Sequence, residues 1–255
     1  MTEIDPKATA TRALTCLDLT DLNDDCADGD IRALAAKGVT PHGKVAALCV
    51  WPRFVALARR LADPEIKIAT VVAFPGGDDA AETAIDETEA VIRDGADEID
   101  VVIPYRALME GRDAQVTARV ERVKRAAFSA PVKAILETGV LETPEMTRRA
   151  ADLALQGGAD FLKTSTGKVP VNATLGAAQT LLTAIKESGR PGVGFKAAGG
   201  IRTAEDAAAY LALADEIMGE GWAGPATFRF GASGLLDALL AEIEGGAAAP
   251  PDEGY

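Results

Sequence analysis

The chain has 255 residues, with 26 Lys and Arg against 39 Asp and Glu, a formal net charge of −13, 48% hydrophobic residues and 25% charged ones. That balance builds a full-sized core without disulfide or metal staples, and its acidity repels the phosphates of nucleic acids and anionic membrane surfaces, so neither is an expected partner. No apolar run reaches the length of a membrane span, and the first residues, MTEIDPKATATRA, lack a secretory signal's apolar core, so a cytoplasmic location is expected.

In chain order, short β-rich runs fall at ALTCLDL (13–19), VAALCV (45–50), IKIATVVAF (66–74), DEIDVVI (97–103), PVKAILE (131–137), ADFLKTS (159–165), GVGFKAA (192–198) and TFRFG (227–231). Ala-rich segments of helical spacing follow them. In AAETAIDETEAVIRDG (80–95), Ala84, Thr88, Val91 and Ile92 share one face. Gly95 and the pair Gly157-Gly158 mark helix ends just before the next strand, and Thr203 marks a helix start. Eight strand–helix units in this length predict an α/β fold, a single-domain TIM (β/α)8 barrel over 1–244. An open doubly wound sheet is the structural alternative. The Gly/Pro/Ala-rich stretch 245–255 reads as a flexible tail.

Side chains alternate across a strand, so parity separates inward from outward positions. In the fourth strand Ile99, Val101 and Ile103 share one face, and Glu98, Asp100 and Val102 the other. Phe161 pairs by parity with Lys163, Gly194 with Lys196, and Leu14 with Cys16 and Asp18. Ionisable groups pointing into a barrel are costly unless they pair or do work. Barrels of this type place catalytic groups at the C-terminal ends of their strands. Two ammonium groups ~6 Å apart repel by about 3 kcal/mol at an effective dielectric of 20, enough for one to lose its proton near neutral pH and act as a nucleophile toward a carbonyl. Asp100 is placed to move protons. Lys133 and Glu137, inward by parity in the fifth strand, read as a structural pair deeper in the barrel.

Other chemistries are harder to build. His42, the only histidine, lies in the turn-rich VTPHGK and reads as a solvated loop residue, which leaves a zinc aldolase or a Ser-His-Asp triad short of imidazoles. Cys16, Cys26 and Cys49 are odd in number and unpaired in spacing. No metal and no cofactor are expected. AAGGIRTAED after the seventh strand and FGASGLL after the eighth bring Gly199-Gly200, and Gly231, Ser233 and Gly234, to the two loops where this architecture holds phosphate.

The segments LDLTDLND (17–24), CVWPRF (49–54), IKIATVVAFPGG (66–77), GADEIDVVIPYRAL (95–108), ILETG (135–139), GADFLKTSTG (158–167), GFKAAGGIRT (194–203) and FRFGASGLL (228–236) together resemble the deoxyribose-phosphate aldolases. The resemblance implies a class I aldolase that reversibly splits 2-deoxy-D-ribose 5-phosphate into acetaldehyde and D-glyceraldehyde 3-phosphate. It further implies Lys163 as the Schiff-base lysine, Lys196 as the second lysine that lowers its pKa, and Asp100 as proton donor and acceptor. Asp18 and Lys168 match positions that contact substrate hydroxyls or relay protons. Gly167, Gly199, Gly200 and Ser233 match the phosphate cradle, and Gly234 replaces a serine there while keeping its backbone N–H. Cys49 matches a cysteine that reacts with aldehyde products, with a small buried apolar role as the alternative. Tyr255 matches a C-terminal tyrosine that assists a proton step. The expected partners are small phosphosugars and aldehydes, with homo-oligomerisation left open. The rival readings are another phosphosugar barrel, an isomerase or an aldolase for a different sugar, or a non-catalytic phosphosugar-binding protein.

Overall fold

A computed structural model describes residues 5–78 and 80–246. Eight parallel strands close a barrel in chain order: β1 (Leu17–Asp21), β2 (Ala47–Val50), β3 (Lys67–Val72), β4 (Glu98–Val102), β5 (Val132–Ile135), β6 (Phe161–Lys163), β7 (Gly194–Ala198) and β8 (Phe228–Ala232). β1 pairs with both β2 and β8, where Asp18 stands opposite Ala47 and Gly231, so the sheet has no open edge. That closure excludes the doubly wound alternative. Helices cover the outside, where Ile99, Val101 and Ile103 are fully buried, each such side chain contributing roughly 1.5–3 kcal/mol.

The punctuation read from the sequence lies where it was expected. The helix Ala81–Arg93 buries Ala84, Thr88 and Val91 and is followed by Gly95 at φ 101°. Pro144–Gln156 ends at Gly157, with Gly158 at φ 92°. Thr203 opens Ala204–Met218 by accepting from the Asp206 N–H, while the Asp206 carboxylate accepts from the Thr203 N–H.

Three placements differ from expectation. The first strand begins at Leu17, because residues 13 and 14 end a helix, Pro6–Thr15. Asp5 caps that helix, and Ala10, Ala13 and Leu14 form its buried stripe, a 3–4 spacing that the apolar run after it concealed. A short ladder, Val39–Thr40 with Gly43–Lys44, precedes β2 and carries His42 in its turn, with Nε2 3.1 Å from Glu244. The fifth strand stops at Ile135, and Glu137 lies beyond it in a left-handed conformation at φ 58°. At the far end of the chain, Leu235–Glu244 packs on the first helix and terminates at Gly245. Most of the predicted tail, Tyr255 included, lies outside the described residues.

Candidate active site

Parity places the interior as expected and adds members to it. Glu98 and Asp100 from β4, Lys133 from β5, Lys163 from β6, Lys196 from β7, Arg229 from β8 and Asp18 from β1 all point inward and are almost wholly buried. Asp100 is their hub. Its Oδ2 accepts from Lys163 Nζ at 2.8 Å and Lys196 Nζ at 2.7 Å, and its Oδ1 from Lys133 Nζ at 2.9 Å. The nitrogens of Lys163 and Lys196 share one oxygen, so they are immediate neighbours.

Below this hub the charges alternate. Lys133 also meets Glu98 at 2.6 Å, and Lys196 meets Asp18 Oδ2 at 2.6 Å. Arg229 spans the remaining gap, with Nη1 on Asp18 Oδ1 at 2.6 Å and Nη2 on Glu98 Oε1 at 2.8 Å. Small residues make room for these long side chains. A Cβ on Gly231 would lie 2.9 Å from Lys196 Cε, and one on Gly194 2.3 Å from the Phe161 ring. Gly231 thus lies within β8, where its missing side chain clears Lys196. The other half of the interior wall is apolar, formed by Leu22, Ala47, Cys49, Ala69 and Val71, with Trp51 and Phe74 stacked edge-to-face over it at 5.4 Å.

The electrostatics separate the three lysines. Burial lowers the Lys163 pKa; Asp100 opposes that shift and the neighbouring Lys196 charge adds to it, leaving the amine below the usual lysine value. Burial acts on Lys196 too, yet Asp100 and Asp18 together raise it well above that value. Burial likewise opposes Lys133, which Asp100, Glu98 and Asp18 raise. The sequence-based expectation gave repulsion between two cations as the main cause. In the structure burial is the larger cause for Lys163, and repulsion is the smaller contribution.

The three carboxylates show the reverse pattern. Burial disfavours their charge, but the cations hold Asp18, Glu98 and Asp100 below the ordinary carboxylate range. A carboxyl whose folded pKa is depressed contributes stability above its unfolded pKa and loses it as pH falls toward the folded value. We expect thermal stability to hold down to about pH 5 and to drop steeply below about pH 4. A scan of Tm against pH should show a shallower acid decline in Glu98→Gln, which has lost one of the three linked protons.

Glu137 does not pair with Lys133, contrary to expectation. Its carboxylate accepts from Thr166 N at 3.1 Å and Thr166 Oγ at 2.6 Å, and Thr166 Oγ accepts from Lys168 N at 3.0 Å. Its left-handed backbone, worth roughly 1–2 kcal/mol of strain for a residue with a Cβ, swings it out of the strand register and onto the loop after β6. That loop carries Gly167 at φ 83°. Lys168 reaches the rim, with Nζ 3.1 Å from Asp24 and 5.8 Å from the Trp51 ring centre.

The remaining predicted residues fall into two groups. Asp18 is fully buried with both oxygens facing cations, which places it behind Lys196 rather than at the rim. Cys49 is fully buried, and burial pushes its thiol up, so it is a protonated wall residue beside the lysines. Gly199 and Gly200 take φ of 81° and 83° after β7, and Ser233 and Gly234 follow β8. The Asp206 carboxylate already accepts the N–H groups of Arg202 and Thr203. The helix behind Gly234, by contrast, has no side-chain cap hydrogen bond at its N-terminus, where the helix dipole is positive. Sequence reasoning missed Arg229, although an arginine between Phe228 and Phe230 in a strand already signalled an inward charge.

A closed barrel that gathers three lysines on one carboxylate, and disfavours the charge on only one of them, is equipped for amine chemistry on carbonyl compounds. Comparison with known proteins agrees. The profile of the DeoC/LacD family aldolases matches residues 12–240. The deoxyribose-phosphate aldolase of Agrobacterium fabrum (strain C58) is 52% identical over 254 residues, covering 98% of this chain and 97% of that one. Among solved structures, the apo form of a Toxoplasma gondii ME49 protein assigned to the deoxyribose-phosphate aldolases superposes with a TM-score of 0.87 at 26% identity, over 96% and 99% of the two chains. The tetrameric deoxyribose phosphate aldolase of Aeropyrum pernix gives 0.71 at 26% identity, over 92% and 91%. The chain belongs to the DeoC/LacD family of aldolases and is a carbon–carbon lyase. Among the described residues, no helix is long and apolar enough to cross a membrane.

Proposed function

We propose that this aldolase forms a Schiff base through Lys163 and reversibly cleaves 2-deoxy-D-ribose 5-phosphate to acetaldehyde and D-glyceraldehyde 3-phosphate. The observation that carries the reading is the shared Oδ2 of Asp100, which holds a lysine of lowered pKa beside one of raised pKa. The uncharged Lys163 amine attacks the C1 aldehyde of the open-chain sugar, and loss of water leaves a protonated imine. The imine draws the electron pair of the C2–C3 bond toward nitrogen while the C3 hydroxyl gives up its proton. Glyceraldehyde 3-phosphate leaves, C2 of the enamine takes a proton, and hydrolysis frees acetaldehyde and the amine. Lys196 and Asp100 stand where they can pass these protons, and Asp18 keeps Lys196 charged from behind.

The sugar's phosphate belongs at the loops after β7 and β8, with Gly167, Gly199, Gly200, Ser233 and Gly234 around it and Lys168 on the rim toward the hydroxyls. Binding there turns remote contact into orientation at C1. In Gly199→Ala, φ is 81° and the new Cβ would lie 2.8 Å from Asn172 Cβ and Cγ. The expected outcome is a KM for the phosphorylated sugar raised roughly tenfold with kcat within about twofold. Activity toward unphosphorylated deoxyribose should change little. Cys49 lies within the wall that receives acetaldehyde, and Tyr255 is the proposed accessory proton carrier. Work in the cytoplasm and assembly into a homo-oligomer complete the reading; the latter is supported by the tetrameric Aeropyrum pernix relative.

The decisive assay measures acetaldehyde released from 2-deoxyribose 5-phosphate. Release in step with glyceraldehyde 3-phosphate is expected. An isomerised pentose phosphate without acetaldehyde would contradict the reading.

A further inference from the structure

The barrel floor carries two charged residues, Glu98 and Arg229, to which the proposed reaction gives no step. Glu98, Lys133, Asp100, Lys196, Asp18 and Arg229 form a closed ring of alternating charge, each in contact with the next at 2.6–2.9 Å. Lys163 joins it only through Asp100, at 2.8 Å. The ring alone holds three cations and three anions. A protonated Lys163 would make four cations against three anions in a space with almost no solvent. Buried charge is tolerated only when paired, so the composition of the ring leaves one proton too many, and Lys163 is the lysine bonded to a single carboxylate oxygen.

We propose that Glu98 and Arg229, which never reach the substrate, are positioning residues that keep Lys163 uncharged by fixing the charge count of this ring. The inference rests on Lys163 being the Schiff-base lysine. Arg229 supplies the third cation and closes the ring between Asp18 and Glu98. With Arg229 present, Asp18 and Glu98 are satisfied without Lys163. Without it, three anions face Lys133, Lys196 and Lys163, and the ring balances only when Lys163 keeps its proton. Removing the Glu98 charge does the reverse, leaving cations in excess and driving the Lys163 proton off. Lys163 faces Asp100 from β4, Lys196 from β7, Cys49 from β2 and Glu137 from beyond β5, with Lys133 and Asp18 one contact further away and Arg229 and Glu98 beyond those. The Cys49 thiol is kept protonated by burial, and Glu137, held on Thr166 outside the ring, is the same in the wild type and in every variant below, so any difference between them is set by the ring.

The two substitutions therefore act in opposite directions. The full-length enzyme is incubated with acetaldehyde and cyanoborohydride from pH 5 to 10, and the rate of reductive ethylation at Lys163 is read by peptide mass spectrometry. In Arg229→Gln the midpoint of that rate should move to higher pH, with labelling at pH 7 slowed on the order of tenfold. In Glu98→Gln the midpoint should move to lower pH. Glu98→Gln/Arg229→Gln should return toward wild type, and Arg229→Lys should match it. A structural role alone would slow labelling in both single variants without moving either midpoint, or move both the same way, and either result overturns the proposal. Glu98→Gln is nearly isosteric and keeps an acceptor for Arg229 and Lys133. Should Arg229→Gln fail to fold, a Glu98→Gln midpoint below wild type with an Arg229→Lys midpoint at wild type supports the proposal, and an unmoved Glu98→Gln midpoint overturns it. No labelling of Lys163 in the wild type at any pH would refute the Schiff-base assignment itself, whereas labelled Lys163 with unmoved midpoints refutes only the ring.

Discussion

Lys163→Met is expected to lower kcat/KM for 2-deoxyribose 5-phosphate by at least about four orders of magnitude while leaving the protein folded. Under the proposed Schiff-base chemistry the loss is large because this amine is the group that bonds to the sugar, and no neighbour can replace it. Lys133 and Lys196 lie on the same carboxylate, but each contacts two or more anions and is held charged. Stability should be unchanged or higher. Methionine matches the volume, and the substitution removes the one interior lysine whose pKa its carboxylate neighbours do not restore to or above the usual value. Measured together, a Tm at or above the wild-type value and a lost aldolase rate separate a missing nucleophile from a damaged fold. A variant retaining a tenth of the wild-type rate would place the Schiff base elsewhere.

Asp100→Asn should cost both stability and rate. The carboxylate accepts from three lysines at 2.7–2.9 Å, and an amide of the same shape offers them one oxygen, no charge, and an N–H₂ group that faces cations. Breaking a buried ion pair by removing one partner typically costs 3–5 kcal/mol. A loss in the upper part of that range is expected in chemical denaturation at pH 7. The rate should fall by about three orders of magnitude, because the group that holds Lys163 next to Lys196, and that the proposed mechanism uses as proton carrier, is gone. Raising the pH should recover part of the lost stability, since the lysines then shed protons they can no longer pair. Denaturation midpoints at pH 7 and pH 9.5 check the sign.

The interior was legible wherever strand parity could be read without its ends. Asp100, Lys163 and Lys196 sit mid-strand or at a strand terminus with an apolar partner two residues away, so a misplaced boundary does not flip them. Glu137 shows the opposite case. It follows Leu136, and continued alternation puts it beside Lys133, whereas one left-handed residue after the strand end sends it to Thr166. A positive φ at a glutamate leaves no trace in composition or periodicity. The first strand shows how an apolar stripe at 3–4 spacing, Ala10, Ala13 and Leu14, runs without a break into an extended run beginning at Leu17. The ring was only half visible. Each charged residue could be assigned a face, but only closure of the barrel between β1 and β8 brings Asp18 to Arg229 and turns a list of inward charges into a circuit.

Competition among the three lysines on Asp100 tests this account most directly. Reductive alkylation with acetaldehyde at pH 7, followed by peptide mapping, should place the ethyl group on Lys163 in nearly every modified molecule and leave Lys133 and Lys196 bare. Equal labelling of Lys163 and Lys196, or label on Lys196 alone, would show that the barrel does not single out one amine, and the assignment of the nucleophile would be wrong.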